Sequence, residues 1–162
     1  MFMILLASVI WLCASFNDNR LTKGVINMAL MVWSDNFSVN VTQIDEQHKK
    51  LVVMLNDLHD AMKQGKGRDV TGNVLSRLVQ YAATHFATEE KLMKEHAYPE
   101  YLKHKLEHDA LTRQAMDLQK QFQEGKSVLT VELMKFLKDW LSNHILGTDK
   151  KYGPYLNSKG II

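Results

Sequence analysis

The chain has 162 residues, 46% hydrophobic and 23% charged, with 8 Gly, 2 Pro, 1 Cys and 7 His. That length suits one domain with a real core, and the single thiol, Cys13, excludes an intrachain disulfide framework, a cysteine zinc module and a four-cysteine iron–sulfur site. A net charge of only +2, with Lys and Arg interspersed among Asp and Glu, leaves no electrostatic footprint for nucleic acid, and scarce Gly and Pro argue against a turn-rich all-β fold.

Residues 1–16 carry no charge, and Asn17 to Arg20 end the run. The stretch is shorter than the ~20 residues that span a bilayer as a helix. No basic region precedes it, as a secretory signal would require. Trp11-Leu12 stand before Cys13, where a lipoprotein signal would place small residues. Residues 1–27 are therefore an apolar leader open to three readings: an anchor or export signal, a leader ordered on the domain, or sequence upstream of a start at Met28. The last leaves a compact domain over residues 28–162; the expected location is cytoplasmic, with membrane association or export as the alternative if the leader is an anchor or signal.

Four helical segments follow. The first, about 42–64, opens at Thr42 as a candidate cap with Asp45 three residues on. It carries His48, Leu51, Leu55, Leu58 and Met62 at the alternating spacing of a bundle seam. Gly65 and Gly67 end it. The second, about 70–96, repeats the pattern through Leu75, Leu78, Ala82, His85, Phe86, Glu89 and Met93, and Tyr98-Pro99 breaks it. The third, about 99–124, takes Pro99 into its first turn and runs through Leu111, Leu118 and Phe122 to Gly125. The fourth, about 128–149, carries Val131, Met134, Leu137, Leu141 and His144 on one face and ends near Gly147. Short loops make neighbouring helices antiparallel. The predicted fold is all-α, an antiparallel up-down-up-down four-helix bundle with an N-terminal extension.

In such a bundle a rise of about 1.5 Å per residue fixes heights along the axis. With Thr42 at zero, His48 lies at about 9 Å, His85 at about 10 Å, Glu89 near 5 Å, His104 near 3 Å, His108 near 9 Å, His144 near 8 Å and Asp149 near 1 Å. All seven fall in one layer. His85/Glu89 and His104/His108 are i, i+4 pairs, so each pair faces one side of its helix. His144 and Asp149 are five apart and would diverge by roughly 140° on a regular helix; unwinding at Gly147 is expected to turn Asp149 inward. His59 and His96 lie roughly 16 Å along the axis from the layer, at opposite ends, and are assigned to packing or surface roles.

Five imidazoles and two carboxylates exceed the four ligands of a tetrahedral zinc, so two metals are implied. If both carboxylates and one further oxygen bridge, the set fills all but one position of two six-coordinate ions. Helix pairing divides the histidines into His104, His108 and His144 on one ion and His48 and His85 on the other, which keeps the open position. Imidazole-rich coordination without thiolate suits iron, manganese or cobalt.

These residues resemble the hemerythrin family, in particular its single-domain bacterial form. The likeness runs from about Met28 to Leu156 and is carried by Ile44-Asp45-Glu46-Gln47-His48, His85-Phe86 with Glu89-Glu90 and Leu92-Met93, Tyr98-Pro99, His104, His108, His144 and Asp149-Lys150-Lys151-Tyr152. The resemblance implies two iron ions bridged by Glu89, Asp149 and an oxo or hydroxo group, binding dioxygen reversibly at the iron of His48 and His85. An apolar oxygen pocket follows from it, with Leu51, Phe86, Trp140, Ile145, Leu146 and Tyr152 as candidates. Acceptors are also needed behind each ligand histidine, and Glu90 and Asp45 are candidates.

The leading expectation is an oxygen-binding protein for storage, transport or delivery, not an enzyme, with an oxygen-consuming protein as a candidate partner. The alternatives are a di-iron oxidoreductase consuming peroxide or nitric oxide, and an oxygen or iron sensor. Oxygen-activating bundle enzymes typically carry four Glu and paired Glu-x-x-His motifs. Two acids among five imidazoles make a less anionic site, which favours reversible binding.

Overall fold

The computed structural model describes residues 29–126 and 131–162, and the 1–27 leader lies outside them. Regular structure among the described residues is all helical: α1 Thr42–Lys63, α2 Arg68–Glu95, α3 Tyr101–Gln123, α4 Val131–His144 and α5 Lys150–Ser158. A 3-10 turn at Asp35–Phe37 precedes α1, and a π-helical turn at Ile145–Asp149 joins α4 to α5. The architecture is the expected four-helix bundle. Among the described residues no helix is long and apolar enough to cross a membrane.

The ends of the helices refine the sequence reading. Thr42 is the first helical residue and not a side-chain cap. Asp45 instead reaches back over the entry, accepting from the Val39 N–H at 2.8 Å and the Ser38 hydroxyl. The chain turns at Pro99 and Glu100 before α3 begins at Tyr101, so Pro99 precedes the first turn. Helix α2 closes with the Tyr98 N–H on the Met93 carbonyl at 2.8 Å. That closure places Ala97 at φ 52°, a left-handed position usually given to glycine. The fourth segment does not stop near Gly147: it widens there into the π turn and continues as α5 through Pro154.

The stretch before α1 crosses the bundle as an arm fixed at both ends. Asn56 holds the Met31 backbone by both groups, accepting its N–H at 3.0 Å and donating to its carbonyl at 2.8 Å. At the other end, Lys150 Nζ donates to the Ser38 carbonyl and Asn157 Nδ2 to the Asn40 carbonyl, each at 2.6 Å. Gly153 permits the crossing, because a Cβ there would lie 2.4 Å from the Val39 carbonyl oxygen.

Among the described residues two apolar clusters result. One holds Met31, Leu51, Leu55, Leu58, Leu75, Leu78, Met134, Leu137, Leu141 and Ile145. The other, around the start of α1 and the face of α5, holds Val39, Val41, Ile44, Met93, Tyr98, Tyr152 and Leu156. The buried polar residues His48, His85, Glu89, His104, His108, His144 and Asp149 lie on the same helices, in the stretches that these two clusters bracket.

Candidate metal centre

His48 comes early in α1 and His85 and Glu89 late in α2, so antiparallel pairing brings them together; His104 and His108 open α3, and His144 ends α4. Their facing atoms form two groups: Glu89, His104, His108, His144 and Asp149 in one, and His48, His85, Glu89 and Asp149 in the other. Glu89 and Asp149 belong to both. All seven predicted residues therefore converge, divided as the helix pairing predicts, while His59 and His96 stay outside both groups.

The π turn brings Asp149 in. Its i→i+5 hydrogen bonding lets residues five apart approach one face, which a regular α-helix denies them. His144 Nε2 and Asp149 Oδ1 come to 3.2 Å. The helix does unwind around Gly147, as expected, but by widening one turn and not by ending.

Each carboxylate divides its oxygens between the groups. Asp149 turns Oδ2 to His48 Nε2 at 3.3 Å and Oδ1 to His104 Nε2 at 3.4 Å. Glu89 turns Oε2 to His108 Nε2 at 3.1 Å, while Oε1 lies 3.7 Å from His48 Nε2 and 3.6 Å from His85 Nε2. In the three-histidine group, His108 Nε2 is 2.9 Å from His104 Nε2 and 3.0 Å from His144 Nε2. Nitrogens held at right angles about 2.1 Å from one ion would be about 3.0 Å apart, as in octahedral coordination. Both nitrogens of His48, Oε2 of Glu89 and both oxygens of Asp149 are buried without a hydrogen-bond partner. Unpaired buried polar atoms are costly, and cations in the layer would satisfy them. The residues fit a pair of metal ions.

The electrostatics of these side chains point the same way. Burial pushes the His85 and His144 imidazoles down to about 4 and about 3. For His48 burial also opposes the charge, but Asp149 and Glu89 outweigh it and push the pKa up to about 9. Burial and the neighbouring Glu89 raise Asp149 to about 6. Glu89 is held well below the usual carboxylate range: burial opposes its charge, and the surrounding imidazoles, His85 foremost, outweigh it.

Acceptors behind the imidazoles orient two of them. Glu90 Oε1 takes the His108 Nδ1–H at 3.1 Å, and Gln47 Oε1 takes that of His85 at 3.0 Å. Both contacts leave Nε2 free to face the cluster. Gln47 stands in the motif that ends at His48, but its role as an acceptor was not predicted; its only signal is its place beside that histidine. Asp45 does not serve a histidine; it anchors the arm.

The expected pocket residues separate. Leu51 and Ile145 are fully buried in the apolar cluster next to the site. Phe86 touches His85 but stacks on His108, with ring centroids 3.9 Å apart, so it belongs mainly to the three-histidine side. Trp140 stands behind Phe86 at 6.0 Å and lines a groove against α3. Leu146 is 46% exposed: the widened turn points Ile145 inward and Leu146 to solvent, so it lines no buried pocket. Tyr152 is not an apolar wall, since its hydroxyl donates to Glu89 Oε1. Trp33, on the arm, was not foreseen; its ring is tilted beside that of His48, with centroids 6.3 Å apart.

The profile described as Hemerythrin HHE cation binding domain matches residues 39–156. A bacteriohemerythrin of Methylococcus capsulatus is 40% identical over 132 residues, spanning 81% of this chain and 100% of its own length. A hemerythrin-like protein of Naegleria gruberi is 33% identical over 120 residues, 74% of this chain and 88% of its own. Among solved structures, a wild-type hemerythrin crystal structure is 41% identical with a TM-score of 0.76, covering 79% of this chain and 98% of the other.

Proposed function

Since the chain belongs to the hemerythrin family, we propose that it binds dioxygen reversibly, for storage, transport or delivery, at a di-iron centre held by His48, His85, Glu89, His104, His108, His144 and Asp149. The observation that carries this reading is the sharing of both carboxylates between a three-histidine and a two-histidine group. The iron pair, when bound, supplies the electrons that dioxygen takes up. Glu89 and Asp149, shared by both groups, would hold the ions and supply the negative charge, since neutral imidazoles carry none. His48 and His85 offer one protein nitrogen fewer than the other side, which leaves that side room for an exogenous ligand.

Leu51, one turn after His48, and Ile145 are buried apolar residues that would keep water from the layer, and the Trp33 ring stands beside His48. Water exclusion matters because a charged product leaves far more readily into a hydrated pocket than into an apolar one.

The test is anaerobic reduction of the iron-loaded chain followed by cycles of oxygen exposure and removal, with the visible spectrum recorded. Repeated colouring and bleaching at constant iron content is the expected result. Sustained turnover of peroxide or nitric oxide without a stable coloured form would contradict it and favour a di-iron oxidoreductase.

A further inference from the structure

Of the four oxygens on Glu89 and Asp149, three are buried without a hydrogen-bond partner. The fourth, Glu89 Oε1, receives the Tyr152 hydroxyl. It is also the oxygen turned toward His48 and His85. Among the described residues, the one hydrogen bond to the shared carboxylates therefore falls on the side with fewer histidines.

Packing does not account for that hydroxyl. Tyr152 is fully buried, with its ring edge-on to Tyr98 and tilted against His104. A phenylalanine would fill the same space, and taking a phenol out of water is unfavourable unless its O–H finds an acceptor. Here the acceptor is an ionised carboxylate, which makes the bond charge-assisted and strong. The position is fixed by spacing: Asp149 and Tyr152 are three apart, and the π turn that brings Asp149 inward brings Tyr152 with it.

We propose that Tyr152 is a positioning residue that draws charge from Glu89 Oε1 and so keeps the metal ion on the His48/His85 side electron-poor. An electron-poor ion favours the ferrous state. The hydroxyl thus biases the oxygen-binding side against irreversible oxidation. The inference rests on the di-iron reading above.

The test compares reduction potentials of the iron-loaded full chain, of Tyr152→Phe, and of the chain carrying 3-fluorotyrosine at position 152, whose ring fluorine strengthens the hydroxyl as a donor. Loss of the hydroxyl should shift the equilibrium about tenfold toward ferric iron, a fall of about 59 mV for a one-electron step. Fluorination should move the potential the opposite way, and a packing role would produce neither shift. If Tyr152→Phe does not retain iron, the fluorinated chain decides alone. Unchanged potentials with two irons retained overturn the role of Tyr152 and leave the di-iron reading standing. Fewer than two irons in the unsubstituted chain overturn both.

Discussion

His48 lies between Asp149 and Glu89, its Nδ1 without a hydrogen-bond partner among the described residues, and those carboxylates push its pKa up to about 9. A pKa raised above neutrality favours the protonated imidazole at pH 7, whereas a metal ligand must be the free base. Metal uptake at pH 7 should expel at least about one proton per chain, and affinity should fall as pH drops below 9, because proton and metal compete for Nε2. His85 and His144, already neutral with values of about 4 and about 3, add nothing in that window. Calorimetry in buffers of different ionisation enthalpy measures the release, and none at pH 7 would contradict the assignment. The convergence of the seven side chains was legible because i, i+4 spacing and axial height are properties of sequence alone once helices are granted. Gln47 and Trp33 were not legible: one contacts a neighbouring helix and the other sits on an arm with no periodicity.

At the scale of elements, the π turn is the feature on which the layer depends. An extra residue in the ladder between His144 and Asp149 costs regular hydrogen bonding but carries Asp149 and Tyr152 to the buried face. The sequence marks the place with Gly147, yet the choice of widening over ending is made by packing of α5 under the arm, which local propensity does not encode. Leu146 was misplaced for the same reason. Two substitutions test the joints. Gly153→Ala should destabilise the chain by about 1–3 kcal/mol, since its Cβ would meet the Val39 carbonyl oxygen at 2.4 Å. Ala97→Gly should stabilise it by about 1 kcal/mol, because it relieves a left-handed residue at φ 52°. Urea unfolding of both variants reads the two signs, and a stable Gly153→Ala would mean that the arm does not cross as described.

Across the whole molecule, an expensive polar layer is set between two apolar clusters, and the bundle's stability is tied to what fills it. Ions bound only by the folded chain stabilise it by linkage, so chelation should lower its melting temperature. The bundle itself was legible from four periodic segments and short breaks, and its antiparallel order is what turned scattered histidines into one layer. The division of that layer is the central claim, and an anaerobic ferrous titration with metal counting tests it most directly, on the full chain and on His48→Ala. The account predicts two irons per chain, with His48→Ala losing the ion on its own side first and keeping the one among His104, His108 and His144. A single iron in the unsubstituted chain, or unchanged affinity for both in the variant, would contradict it.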